Sequence, residues 1–211
     1  MKFFLQIALS LSLLISLPVF AAGDAAAGQT KAAVCAACHG ADGNSVAPNF
    51  PKLSGQHVGY LEKQIRLIRS GARNVPEMAG ITEGLSDQDI ADLAAYFSSQ
   101  KRKRGVADKA LLEAGQRLFR SGNPKTNVPA CMACHGPGGD GIPLAGFPLL
   151  AGQHATYTAS MLTRFKGGQN WGANDSGSQI MDAVTLRMTA DEIKAVASYI
   201  EGLHDIDPYS E

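Results

Sequence analysis

An all-α fold, built from two tandem copies of one helical unit, is what this 211-residue sequence predicts. Three observations carry the prediction. Apolar residues recur at helical spacing throughout, and no stretch alternates as a half-buried strand requires. The pentapeptide Cys35-Ala36-Ala37-Cys38-His39 returns as Cys131-Met132-Ala133-Cys134-His135. The surroundings of the two pentapeptides also match. Gly28-Gln29 precedes the first and Gly115-Gln116 the second; Phe50-Pro51-Lys52-Leu53-Ser54-Gly55-Gln56-His57 answers to Phe147-Pro148-Leu149-Leu150-Ala151-Gly152-Gln153-His154. Self-similarity at this scale is the signature of a duplicated unit.

Residues 1–22 read as a signal peptide. Lys2 supplies the charged start, Phe3 to Leu17 is mostly apolar, and Ala21-Ala22 offers small residues for cleavage. The rival reading is a retained anchor, because Phe3 to Ala22 is nearly long enough to span a bilayer. Either way the working part is placed in the periplasm. The first unit is expected over residues 23–100. Asp24 suits the N-cap of an alanine-rich helix running into Cys35. Leu61, Ile65 and Ile68 line a second helix, with Gly71 at its stop. Met78 is read as a loop residue between Pro76 and Gly80. Ser86-Asp87-Gln88-Asp89 opens the closing helix, whose stripe is Ile90, Leu93 and Phe97.

Residues 101–107 are the expected linker, because the run Lys101-Arg102-Lys103-Arg104 repels itself and should stay solvated. The second unit spans 108–211. Asp108 is expected to cap a helix through Leu118 and Phe119 that ends near Gly122. Ala155 to Phe165 forms the next helix, stopped at Gly167-Gly168. Thr189-Ala190-Asp191-Glu192 is a capping box that opens the last helix, with Ile193, Val196, Ile200 and Leu203 on one face.

C-x-x-C-H is the attachment signature of a c-type haem. Two thiols one helical turn apart, Cys35 with Cys38 and Cys131 with Cys134, can each close a thioether to a haem vinyl group. His39 and His135 then reach the iron from the same side. A zinc site of four cysteines would leave the two histidines unexplained, and a thioredoxin-like pair needs a βαβ setting that the sequence lacks. All four cysteines are used, so two covalently bound haem c groups are expected. Aromatic residues are only 7% of the chain, too few for two ordinary cores, and two haems supply the missing apolar bulk.

The sixth iron position separates a carrier from an enzyme. A methionine thioether is soft and favours ferrous iron; an open position would permit oxygen or peroxide chemistry. Met78 is the candidate in the first unit. In the second, Met181 and Met188 both lie downstream of His135. Met78 stands eight residues before the cap Ser86, and Met181 stands eight before Thr189. Met188 corresponds to Leu85, directly before the cap, where an apolar residue acts as a staple against the first turn. Met181 is therefore favoured. His57 and His154 are repeat-matched rivals, each at a helix start, where contact with haem propionates is the plainer role. Gln56, Gln153, Tyr60 and Tyr157 are candidates for propionate contacts or for the domain interface. Trp171 covers the second haem or simply packs, and His204 is expected in solvent.

The residues Val34-Cys35-Ala36-Ala37-Cys38-His39-Gly40, Pro48-Asn49-Phe50-Pro51-Lys52-Leu53, Leu85-Ser86-Asp87-Gln88-Asp89-Ile90 and Leu144-Ala145-Gly146-Phe147-Pro148 carry a resemblance. Together they resemble the dihaem cytochrome c4 family over the whole mature length. The resemblance implies two class-I cytochrome c domains with two His/Met haems, and a periplasmic electron carrier that is not an enzyme. It implies a quinol-oxidising complex or a dehydrogenase as donor, a terminal oxidase of the respiratory chain as acceptor, and loose membrane association. In class-I cytochromes a loop proline carbonyl accepts from the axial histidine. Pro48 is the expected residue in the first unit, and Ala145 stands opposite it in the second, so unequal tuning of the haems is expected.

Net charge is zero, from 19 basic and 19 acidic residues, which excludes a nucleic-acid partner as the organising function. Residues 23–104 hold 10 basic and 8 acidic groups, +2, and residues 105–211 hold 8 and 11, −3. A dipole of this kind favours oriented docking of redox partners. A dihaem peroxidase or sulfur-compound dehydrogenase, and a haem subunit docked on a separate dehydrogenase, are the competing functions.

Overall fold

The computed structural model describes residues 22–203. The signal-peptide and His204 expectations therefore fall on residues outside the described part. Among the described residues there is no strand, only the isolated bridges Asn123 to Val128 and Ile142 to Phe147, and no helix is long and apolar enough to cross a membrane.

Asp24 accepts from the amides of Ala26 and Ala27 and opens α1 (Ala25–Lys31). The helix does not continue unbroken into Cys35. Ala32–Cys35 tightens into a 3-10 turn before α2 (Ala36–His39). Beyond α2 lie α3 (Val58–Arg69), α4 (Pro76–Thr82) and α5 (Asp87–Ser99). The second unit repeats the order as α6 (Leu112–Ser121), α7 (Met132–His135), α8 (Ala155–Lys166), α9 (Ser176–Thr185) and α10 (Ala190–Gly202). The helix after Asp108 begins later than expected. Asp108 instead closes a turn by accepting from Ala110 N at 2.8 Å, and Leu111 becomes the N-cap.

Both short helices that carry the C-x-x-C-H motif end at a glycine, Gly40 at φ 76° and Gly136 at φ 78°. A side chain would be strained in that left-handed conformation, so glycine lets the chain leave directly after the histidine. Each unit then buries its own small core. Ala32, Leu61, Leu93, Ala94, Tyr96 and Phe97 form one. Leu118, Phe119, Met188, Ile193, Val196 and Ile200 belong to the other. The first and last helices of each unit, α1 with α5 and α6 with α10, pack directly on each other.

Both closing helices start with a capping box. Ser86 and Asp89 bond reciprocally, as do Thr189 and Glu192. Bonds from Ser86 and from Lys31 hold the Asp89 carboxyl at about 2, against an ordinary value of 3.8. A carboxylate depressed on folding contributes stability that is fully present above its unfolded value and lost as pH falls through its folded one. Part of the α5 helicity should therefore be lost between pH about 4 and about 2, modestly because the group is solvent-exposed. Circular dichroism across that range should show a smaller acid transition in Asp89→Asn.

The linker departs from expectation. Lys101, Lys103 and Arg104 are exposed, but Arg102 is half-buried. Its Nε donates to Ser54 O at 2.8 Å, and its Nη1 and Nη2 reach Ala151 O and Lys52 O, both at 3.3 Å. Burial pulls its pKa down to about 10. Three backbone carbonyls from the two units replace the water that a basic run would otherwise keep. Asn44 pins the same segment, donating to Lys101 O and accepting from Lys103 N. The two units are thus clamped rather than loosely strung.

Candidate haem sites

His39 and His135 are 5% and 7% exposed. Burial pushes both rings below their usual pKa, so each is neutral at pH 7. In His39, Nδ1 lies 2.9 Å from Pro51 O; in His135, Nδ1 lies 3.1 Å from Pro148 O. A carbonyl only accepts, so Nδ1 carries the proton and Nε2 keeps a free lone pair for a metal. This corrects the expectation for Pro48 and Ala145. The accepting carbonyl comes from Pro51 in one unit and Pro148 in the other, and those prolines match. The loop reaches the histidine three residues later than Pro48, where Phe50 and Phe147 place their rings 6.2 and 6.0 Å from His39 and His135. No proline asymmetry remains to tune the haems apart.

Cys131, Cys134 and His135 line a cavity of about 240 Å³ whose walls are mainly apolar. Met181 lies on the wall of the same cavity, as do Trp171 and Met188. Met188 is only 2% exposed and packs in the C-terminal core with Ile193. The thiols of Cys35, Cys38, Cys131 and Cys134 are all free, with no disulfide between them.

The two methionines sit in matched local structures. Met78 is on α4, not in a loop, and Met181 is on α9. Pro at the first turn starts α4, and Asp175, which accepts from Ser178 N, starts α9. Four residues on, Thr82 donates to Met78 O at 3.1 Å and Thr185 donates to Met181 O at 2.8 Å. Both threonines are buried, at 1% and 0% exposure. The pair belongs to none of the motifs above, although the spacing Met-x-x-x-Thr-x-x-x-Ser/Thr is present in both units.

The cavity also carries groups that fit a haem carboxylate. Arg73 is buried, with Nη1 donating to Gln64 Oε1 at 2.6 Å and Nη2 to Tyr157 OH at 2.9 Å. Its guanidinium stands 5.0 Å from the Trp171 ring centroid. Arg73 Nε and Gln64 Nε2 are buried without a hydrogen-bond partner. Two orphaned donors, one of them on a buried cation, call for an anion, and a propionate is the anion a haem brings. Apolar walls, paired thiols, a neutral histidine, a thioether and these donors together fit the group. Arg73 and Gln64 carried no sequence signal, since neither belongs to a motif.

His57 and His154 are turned to the domain interface. His57 Nε2 lies 2.8 Å from Asp140 O; His154 Nε2 lies 2.8 Å from Ser45 O. Gln56 and Gln153 cross the same interface in a reciprocal pattern. Gln56 accepts from Leu149 N and donates to Leu149 O, both at 2.9 Å. Gln153 accepts from Lys52 N at 2.8 Å and donates to Lys52 O at 2.9 Å. Lys63 and Asp175 add an ion pair at 2.6 Å.

The cytochrome c family model matches residues 25–101 and again 112–204. Cytochrome c4 of Pseudomonas aeruginosa is 54% identical over 200 residues, covering 95% of this chain and 98% of its own. The crystal structure of reduced recombinant cytochrome c4 from Pseudomonas stutzeri superposes with a TM-score of 0.82 at 53% identity, covering 87% of this chain and all of that one. A thiosulfate dehydrogenase electron acceptor of Stutzerimonas stutzeri is 39% identical over 172 residues, covering 80% of this chain and 78% of its own. With its doubled C-x-x-C-H motif, its two helical units and these relatives, the chain belongs to the dihaem cytochrome c4 family, c-type electron carriers with two covalently bound haem c groups.

Proposed function

We propose that this chain is an exported, periplasmic carrier that passes electrons through the respiratory chain to a terminal oxidase. In this reading residues 1–22 are cleaved, and domains 23–100 and 108–211 each hold one haem. His39 and Met78 ligate one iron, and His135 and Met181 the other. The observation that carries the reading is the placing of His135 and the Met181 thioether on the wall of one apolar cavity. Haem iron supplies reversible one-electron exchange when bound in this way.

The chain's own residues do the rest. His39 and His135 present Nε2 in a fixed orientation, because the Pro51 and Pro148 carbonyls hold Nδ1–H. Met78 and Met181 would hold the haem through soft thioethers, which favour the ferrous state. The unpartnered Arg73 Nε and Gln64 Nε2 would compensate a buried propionate. The donor is a quinol-oxidising complex or a dehydrogenase. The likeness to a thiosulfate dehydrogenase electron acceptor supports the second class.

The test uses the purified dihaem protein with a terminal oxidase. Reduced protein should be reoxidised by the oxidase, and the rate should change between low and high salt, because the +2 and −3 halves steer docking. Turnover of peroxide should be negligible. Peroxide turnover comparable to that of a dedicated peroxidase would overturn the reading.

A further inference from the structure

We propose that Gln56 and Gln153 are cross-domain positioning residues, each tuning the axial histidine of the other domain through a single peptide group. The inference rests on the ligation by His39 and His135 proposed above.

Gln153 Oε1 accepts from Lys52 N at 2.8 Å. That N–H and the Pro51 carbonyl are the two ends of one planar peptide group. The same Pro51 carbonyl accepts from His39 Nδ1 at 2.9 Å. The chain of bonds therefore runs from the C-terminal domain's amide, through one peptide, to the N-terminal domain's imidazole. The mirror chain runs the other way. Gln56 Oε1 accepts from Leu149 N at 2.9 Å, and the Pro148 carbonyl of that peptide accepts from His135 Nδ1 at 3.1 Å.

Consecutive hydrogen bonds polarise one another in a low-dielectric interior. An acceptor on the peptide N–H makes its carbonyl a stronger acceptor. A stronger carbonyl draws the Nδ1 proton and makes Nε2 a better electron donor to a metal. Such donation favours the ferric state and lowers the potential. Both glutamines are buried, at 6% and 7% exposure. Their amide orientation is fixed, because each Oε1 also accepts from the following histidine's backbone, His57 N at 3.0 Å and His154 N at 3.1 Å. An amide serving only to join the domains could bond any free backbone edge. Each bonds both backbone groups of one residue in the partner domain, Lys52 or Leu149, and the N–H it takes belongs to the peptide that holds that domain's histidine, in both directions.

The test is a potentiometric titration of the holoprotein with the two haems assigned by proton NMR. Gln153→Met should raise the potential of the haem bound by His39 and leave that bound by His135 unmoved. Gln56→Met should do the converse. Gln153→Asn, one methylene short of Lys52, should raise the same potential by less. The Nδ1–H resonance of His39 should shift upfield in Gln153→Met, as its bond to Pro51 weakens. A shift in the haem of the mutated domain, equal shifts in both, or no shift would overturn the relay. The wild-type spectrum checks ligation separately. Ring protons of His39 and His135 should be strongly displaced by the haem, and their absence would sink the ligation rather than the relay.

Discussion

Met181→Leu removes about half of the sulfur-to-iron charge-transfer absorbance and lowers one of the two potentials by a large step, because one of two soft thioether ligands is gone. Met188→Leu leaves both unchanged and costs less than ~1.5 kcal/mol of stability, as a volume-conserving swap in packing. The contrast is demanding because the two side chains are close in sequence and both line the same cavity. Their settings differ. Met181 sits on α9 one turn before Thr185, as Met78 sits on α4 one turn before Thr82. Met188 precedes the Thr189 cap and packs with Ile193 in the core, which accounts for it without iron. Absorbance spectra of the oxidised variants check the prediction. The reverse pattern would show that the repeat register had been misassigned.

Gly115→Val unfolds the C-terminal domain, and Gly28→Val does the same to the N-terminal one. A Cβ at Gly115 would lie 2.3 Å from Ala195 O and 2.6 Å from Tyr199 Cβ. At Gly28 it would lie 2.0 Å from Asp92 O and 2.8 Å from Tyr96 Cβ. These glycines mark where α6 meets α10 and α1 meets α5, and backbone cannot step aside as a flexible side chain can. Overpacking a core ordinarily costs 1–3 kcal/mol; a contact against a helix backbone should cost at least ~3 kcal/mol. Gly59→Ala is the control. It lies on α3 with nothing within 4 Å of an added Cβ, so it should be neutral or stabilise by up to ~1 kcal/mol. Urea unfolding followed by circular dichroism measures all three. A Gly115→Val protein as stable as wild type would refute the close-packing argument.

Much of this is legible in the sequence. Spacing found the capping boxes, the Gly stops and the doubled haem motif because those features depend on a few adjacent residues. Four features are not legible in this way. Pro51 and Pro148 were overlooked for Pro48, because only the folded loop shows which carbonyl reaches Nδ1. Met78 was placed in a loop, because seven residues, Pro76–Thr82, are too few to show helical periodicity. Arg102 was expected in water, because its three carbonyl acceptors come from Lys52, Ser54 and Ala151, about 50 residues away on either side. The pairing of Arg73 with Gln64, Tyr157 and Trp171 was equally hidden, since it assembles across the two domains.

The central claim is a pair of His/Met haems serving electron transfer. Its most direct test is a redox titration of the purified holoprotein followed by absorption from the oxidised to the reduced state. Two haems per chain, low-spin in both states, should titrate as two one-electron waves, and the oxidised spectrum should hold a sulfur-to-iron band of a strength set by two thioethers. A high-spin oxidised haem, or a spectrum without that band and with both potentials low, would contradict it.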